Sequence, residues 1–599
     1  MPQQYKQKND EKNIGINRAA ARFGSKIKPR NLKETVLRLL KTFGNQKLLL
    51  CIVIISVFIS TGASLFVPLT IGKLIDFISY KLLDKINLYI LILLGLYILS
   101  AFFNWFSEFL VAKISQNIVS KLRRELFYQL EKLPLKYFEE NPHGDIMSRF
   151  TNDLEAVSSV VSQSTITLFS SVITVIGSIV IMINLNFILT IVVMFSVPCI
   201  VLLSKIIAKK TVSLFKGQQK SIGAINSMVE ESVNGLDIIQ SYNQEEHILQ
   251  QFKKANEDAF IYGKSAQIWS GLLMPLMNVI NNFTFAIIAF LGGYLAIQGI
   301  ITIGIIASFI AYSRQFIRPL NELAFTYNSL MAAIAGAERV FEILDEAIEK
   351  RNTDGLVKPL KGSVSFEKVS FGYDSKQKVL KDISFNISKG QKIAIVGPTG
   401  AGKTTMVNIL TKFYSHNEGN IIVDDVDIKD YEYSSYLKQF GIVLQDSYLF
   451  SGTILENIRY GQPKATKEEV YEAAKFAMVH EIIMKLPKQY DTKLTYGGLN
   501  LSHGERQLIT IARAVLANPS ILILDEATSS VDLKTEKQIT QAMRRIMEER
   551  TSFVIAHRLS TIKDADLILV LQDGQITEQG NHENLMKKNG FYAKMILYQ

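Results

Sequence analysis

Six long apolar stretches, near residues 47–72, 86–110, 161–184, 186–207, 268–296 and 301–324, constrain this chain more than any other feature in it. Each is long enough to cross a bilayer, which takes about 20 residues. The connections between the third and fourth stretches, around Asn184 and Asn186, and between the fifth and sixth, at Gln298 and Gly299, are very short. The segments after the second and fourth are long and rich in Lys and Arg, including Lys113, Lys121, Arg123, Arg124, Lys132, Lys136 and Arg149. Basic residues stay on the cytoplasmic side, so these long segments and both termini are expected there.

The composition agrees. A chain of 599 residues is too long for one ordinary core, and 48% hydrophobic residues with a mean hydropathy of +0.17 is high for a soluble protein. The net charge of +11 fits either nucleic acid or an anionic membrane face; with spans present the membrane reading holds and no nucleic-acid partner is expected. Cys51 and Cys199 both lie in apolar runs, where they read as small buried hydrophobes. The polar N-terminus carries no cleavable apolar segment, so the first span is expected to do the targeting.

Along the chain, residues 1–30 read as a disordered basic tail and 31–45 as an elbow helix on the cytoplasmic interface, its apolar face formed by Leu32, Val36, Leu39, Leu40 and Phe43. Residues 46–328 hold the six spans. Leu122, Leu126, Leu130 and Leu133 recur at helical spacing, which carries the second span into the cytoplasm as a rod. That rod is expected to break at Pro142-His143-Gly144-Asp145, with a short helix from Ile146 to about Glu155; a matching break is expected near Gly235. Arg314 and Arg318 in the last span read either as functional groups or as residues at the inner mouth. Residues 329–361 read as a linker, and a soluble α/β domain fills 362–599.

The chemistry lies in that domain. The apolar run Ile393–Val396 leads into Gly397-Pro398-Thr399-Gly400-Ala401-Gly402-Lys403-Thr404 and then the helix-like Thr405-Met406-Val407-Asn408-Ile409-Leu410. Strand, glycine-rich loop and helix in this order make a P-loop for a nucleoside triphosphate: glycines aim N–H groups inward, and Lys403 and Thr404 reach phosphate and Mg²⁺. A second apolar strand, Ile521-Leu522-Ile523-Leu524, ends in Asp525-Glu526. Such a strand is buried on both faces and delivers Asp525 to Mg²⁺ through water and Glu526 to the water that attacks the γ-phosphate. Tyr373, in Phe371-Gly372-Tyr373, is a candidate for stacking on adenine.

Gln445 in Val443-Leu444-Gln445-Asp446, the run Leu501-Ser502-His503-Gly504-Glu505-Arg506-Gln507, Ser530-Val531-Asp532 and Ala556-His557-Arg558 complete the pattern. With these the sequence resembles ATP-binding cassette (ABC) transporters, specifically exporter-type half-transporters, from about residue 32 to the end. The resemblance implies a six-helix α-helical membrane domain followed by an α/β P-loop nucleotide-binding domain, in the cytoplasmic membrane. It makes Gly397 to Thr404, with Thr405 behind them, the Walker A loop, and Tyr373 the adenine-stacking aromatic. Gln445 becomes the Q-loop residue at Mg²⁺, Asp525 and Glu526 the Walker B pair with its catalytic base, Asp532 the D-loop and His557 the switch histidine. The breaks near residues 144 and 235 correspond to coupling helices. Two cassettes sandwich two ATP molecules, each lying between one subunit's Walker motifs and the other's signature, to which Ser502 and Gly504 belong.

The signature departs from the usual Leu-Ser-Gly-Gly-Gln: His503 puts an imidazole where glycine allows close approach, and Glu505 brings a carboxylate towards the triphosphate. A complete hydrolytic set beside an altered signature looks like one half of a heterodimer exporting amphipathic drugs or lipids, with an active homodimer that tolerates His503 and Glu505 as the alternative assembly. The alternatives are an exporter-fold importer of metal chelates and a nucleotide-gated regulator that does not pump.

Overall fold

The computed structural model describes residues 31–598 except 350, 375–376, 446, 526–532 and 557–558. They form two compact units, 31–132 with 141–347, and 133–140 with 348–598.

The first unit is helical because an apolar segment in lipid must satisfy its own backbone N–H and C=O groups. Its long helices are Lys47–Ser79, Leu83–Leu130, His143–Leu185, Phe187–Asn234, Glu245–Ile297 and Ile303–Asp345. Among the described residues the first five are long and apolar enough to cross a membrane. In the sixth, Arg314 and Arg318 cut the apolar run; both are exposed, and Arg318 Nε donates to Glu322 at 2.8 Å. The 48-residue helices are about 70 Å long against about 30 Å of hydrocarbon, so each continues as a rod beyond it.

The rod Leu83–Leu130 stops before Pro134, not at Pro142. A six-residue helix, Leu135–Glu140, follows, and Pro142 caps the next helix, its carbonyl accepting from Asp145 N at 2.9 Å. Proline is disfavoured inside a helix and suits a helix start, and both prolines here stand at starts. The chain is then helical through to Leu185, with π turns at Arg149–Asp153 and Val160–Ser164, so no separate helix spans Ile146 to Glu155. Gly235 does break the fourth rod, and the short helix Leu236–Ser241 follows it. The polar segment 329–361 is helical up to Asp345.

Two glycines let the first and last long helices touch. A Cβ on Gly304 would stand 2.0 Å from Gly72 O, and one on Gly72 would stand 2.1 Å from Ser308 Oγ. Beside this contact Asp76 caps the last helix, accepting from Thr302 Oγ1 and Gly304 N, both at 2.7 Å. At the other end of that helix, Arg38 of the helix Leu32–Thr42 forms a two-pronged pair with Asp345, and its guanidinium lies 4.3 Å from the centre of the Phe341 ring. Leu32, Leu37 and Leu40 remain exposed, and so, against the expectation of burial, are Cys51 and Cys199 on their apolar helices. Arg339 pairs in the same bidentate way with buried Asp153 of the first π turn, Nε to Oδ2 being 2.8 Å.

The second unit is built on two sheets. Strands β1 (Val364–Phe371), β2 (Leu380–Ile387), β4 (Glu418–Val423) and β5 (Val426–Asp427) form an antiparallel sheet in the order β2-β1-β4-β5. Strands β3 (Lys392–Val396), β6 (Phe440–Val443), β9 (Ile521–Asp525), β10 (Thr551–Ile555), β11 (Leu567–Gln572) and β12 (Gln575–Gly580) form the main sheet, β12-β11-β3-β10-β9-β6. The short pair β7 (Gly452–Thr453) and β8 (Lys493–Leu494) stands apart. In the main sheet only β12 is antiparallel. Its central strands are apolar throughout because both faces are covered, and alternate residues belong to different cores. Ile393, Ile395, Ile523 and Ile555 join the core that holds Met406, Ile409 and Leu410; Ala394, Val396, Leu524 and Val554 join the one that holds Leu508, Ile509 and Ile511.

Candidate nucleotide-binding site

The parallel register brings the motifs to one edge. Ile395 of β3 lies beside Ile555 of β10, Ile555 beside Asp525 of β9, and Leu524 beside Val443 of β6. The glycine-rich loop therefore leaves β3 at the same carboxyl edge where β9 delivers Asp525 and where Leu444 and Gln445 follow β6. This is where an α/β sheet places its ligands. Glu526, Asp532 and His557 lie outside the described residues.

The loop from Gly397 feeds the helix Lys403–Leu410. Its shape depends on glycine: Gly397 has φ +152° and a Cβ there would lie 2.2 Å from Leu571 O, and Gly402 caps the helix at φ +102°. Pro398, Thr399, Gly400 and Thr404 are exposed, whereas Ala401, Lys403 and Thr405 are buried. Lys403 Nζ donates to Gly397 O at 2.8 Å and Pro398 O at 3.0 Å, so the ammonium lies across the loop. Burial lowers its pKa, and the negative charge of Asp525 works against that shift. Exposed loop residues ahead of a helix N-terminus, a lysine drawn over them and a carboxylate close enough to feel it fit a triphosphate with its Mg²⁺.

Tyr373 is half-buried with its hydroxyl 3.1 Å from Thr405 Oγ1, which joins it to the phosphate-loop helix. Its ring meets Phe371 and Tyr414 edge-on, each with centroids 5.0 Å apart. No sequence signal selects Tyr414: an aromatic next to a helix end carries no motif, and only the fold brings it to Tyr373.

The signature opens the helix His503–Ala517, whose apolar side lies in the core on the far side of the sheet from Lys403–Leu410. Ser502 and Glu505 form a reciprocal capping box: Glu505 accepts from Ser502 N at 2.8 Å and Ser502 Oγ accepts from Glu505 N at 3.3 Å. Glu505 is thus turned back onto the helix start. Ser502 is exposed, Gly504 is buried, and His503 Nδ1 is buried with no hydrogen-bond partner.

Comparison with known proteins agrees with this geometry. The model of the ABC transporter transmembrane region matches residues 50–320, and the ABC transporter model matches residues 380–529. The chain is 45% identical over 573 residues to an uncharacterized ABC transporter ATP-binding protein of Bacillus subtilis, covering 95% of both chains. It is 41% identical to the fatty acid ABC transporter ATP-binding/permease protein of Mycobacterium bovis, over 82% of this chain and 78% of that one, and 36% identical to the ATP-dependent lipid A-core flippase of Syntrophus aciditrophicus, over 82% of each. Among solved structures it matches a bacterial Atm1-family ABC exporter with ATP bound, at a TM-score of 0.73 and 29% identity, over 93% of this chain and 98% of that one. With a phosphate loop at the edge of a cassette sheet, a membrane unit of long helices and relatives matching over nearly its whole length, this chain belongs to the ABC transporters of the exporter fold.

Proposed function

We propose that this ABC transporter ATPase is one half of a dimeric exporter that moves an amphipathic, lipid-like molecule across the cytoplasmic membrane, with both termini on the cytoplasmic side. The observation that carries the dimer is the placement of the phosphate-loop helix and the signature helix on opposite faces of the main sheet. A chain built this way offers the exposed Ser502 to a second cassette, with Gly504 buried behind it. The helix Leu236–Ser241, at the tip between the fourth and fifth rods, has no buried residue and exposes Ile238 and Tyr242, a surface suited to a second subunit.

At the site, loop N–H groups and Lys403 bind the β- and γ-phosphates and Tyr373 stacks on adenine. Thr404, Asp525 and Gln445 hold Mg²⁺, which neutralises phosphate charge. Glu526 orients the attacking water and takes its proton, and His557 contacts the γ-phosphate. ATP binding closes the dimer and hydrolysis reopens it, and the cycle switches the spans between two accesses because ATP favours the closed state.

The lipid class is supported by the names of the mycobacterial and Syntrophus relatives. A heterodimer is supported by His503, whose imidazole would approach the partner's ATP where the usual signature has glycine. The capping box weakens the second half of that argument, since Glu505 points to its own helix. ATPase measured on the chain purified alone, against the chain with a co-expressed partner, tests the assignment. The reading expects little turnover alone, and robust turnover without a second subunit would remove the heterodimer.

A further inference from the structure

The compact unit that contains the cassette also includes Leu133–Glu140, a segment whose two ends run directly into long helices of the membrane unit. Within this unit two polar contacts, among those of the described residues, join the segment to the neighbourhood of the Tyr373 ring. Tyr414 donates its hydroxyl to Glu139, and Lys136 Nζ donates to Tyr373 O at 3.3 Å. Tyr414 is 8% exposed and its ring stands at 90° to Tyr373. Tyr373 is in turn joined to Thr405 of the phosphate-loop helix. A continuous set of contacts thus runs from the phosphate loop through two aromatic rings to a carboxylate on the segment that enters the spans. The hydroxyl of Tyr414 is not needed for packing its ring, and an exposed carboxylate has water as an alternative partner. The bond therefore fixes the direction of the ring more than it adds stability.

We propose that Tyr414 is a positioning residue: an adenine on Tyr373 presses the edge-on Tyr414 ring into one orientation, and the bond to Glu139 carries that orientation to Leu133–Glu140. The inference rests on the reading of Tyr373 as the adenine platform.

The test measures two quantities on the full-length protein in nanodiscs, with the partner if one is required: affinity for a non-hydrolysable ATP analogue, and the slowing of amide exchange over residues 133–140 when that analogue is added. In the unmodified protein the analogue is expected to slow exchange at 133–140. Tyr414→Phe keeps the ring and is expected to hold affinity within about twofold while losing most of that slowing. Glu139→Gln retains an acceptor and is expected to preserve the slowing, whereas Glu139→Leu abolishes it. Tyr373→Ala is expected to weaken binding about tenfold; unchanged binding there would remove the platform reading itself. If Tyr373→Ala weakens binding but Tyr414→Phe and Glu139→Leu respond to the analogue as the unmodified protein does, the relay is overturned. A loss of slowing that Glu139→Gln shares equally with Glu139→Leu would overturn the role of the hydrogen bond.

Discussion

Lys403 lies across its own loop because two carbonyls, Gly397 O and Pro398 O, accept from its ammonium. Lys403→Ala removes the one side-chain cation of that loop, and ATPase is expected to fall about 100-fold or more with the chain still folded, as measured by turnover and by thermal melting. Asp424 makes a different kind of prediction. Its buried carboxylate accepts from Gly362 N, Ser363 N and Ser363 Oγ at 2.9 to 3.1 Å, and from Lys361 N, and so fastens the start of β1. Burial pushes its pKa up, but these donors outweigh burial and hold it below the ordinary value. A depressed carboxylate stabilises the fold fully above its unfolded pKa and loses that contribution as pH falls through the folded one. Acid unfolding of the cassette below about pH 4 is therefore expected to lose part of its pH dependence in Asp424→Asn, at a cost of about 2–3 kcal/mol at neutral pH. Residue identity alone carried the phosphate loop, because its spacing is itself the geometry. Glu505 is less legible for the opposite reason: a carboxylate three residues after a serine is also a helix start, and the capping box shows that use.

At the scale of elements, Asp76 closes the N-terminal end of the helix Ile303–Asp345 with two bonds to donors at the helix start. Asp76→Ala is expected to lower the stability of the membrane unit by about 2 kcal/mol and to speed amide exchange in the first turn of that helix, with Asp76→Asn recovering part of the loss. Element boundaries were legible where chemistry is unambiguous: the one-residue turn at Asn186, whose side chain caps the fourth rod at 3.0 Å, and the break at Gly235 both fall where the sequence puts them. The end of the second rod was not, because Pro134 and Pro142 offer the same local signal. What separates them is burial: Leu133 is buried in the fold, whereas Pro142, His143, Gly144 and Asp145 are exposed. Likewise the continuation of the last helix to Asp345 rests on Arg38, Asp153 and their partners at Asp345 and Arg339, pairs more than 180 residues apart in sequence.

At the scale of the whole molecule, Ile238→Asp with Tyr242→Asp on the exposed tip is expected to lower ATPase by weakening subunit association, with normal melting of the cassette; light scattering at several concentrations would separate this from misfolding. The sheet's two faces also have a genetic consequence. Since phosphate loop and signature lie on opposite sides of the same strands, a chain with a dead loop still presents an intact Ser502 and still assembles. Lys403→Ala expressed beside the unmodified chain, with the partner subunit limiting, is then expected to be dominant, sequestering the partner in pairs that cannot turn over, whereas a variant that cannot associate would be recessive.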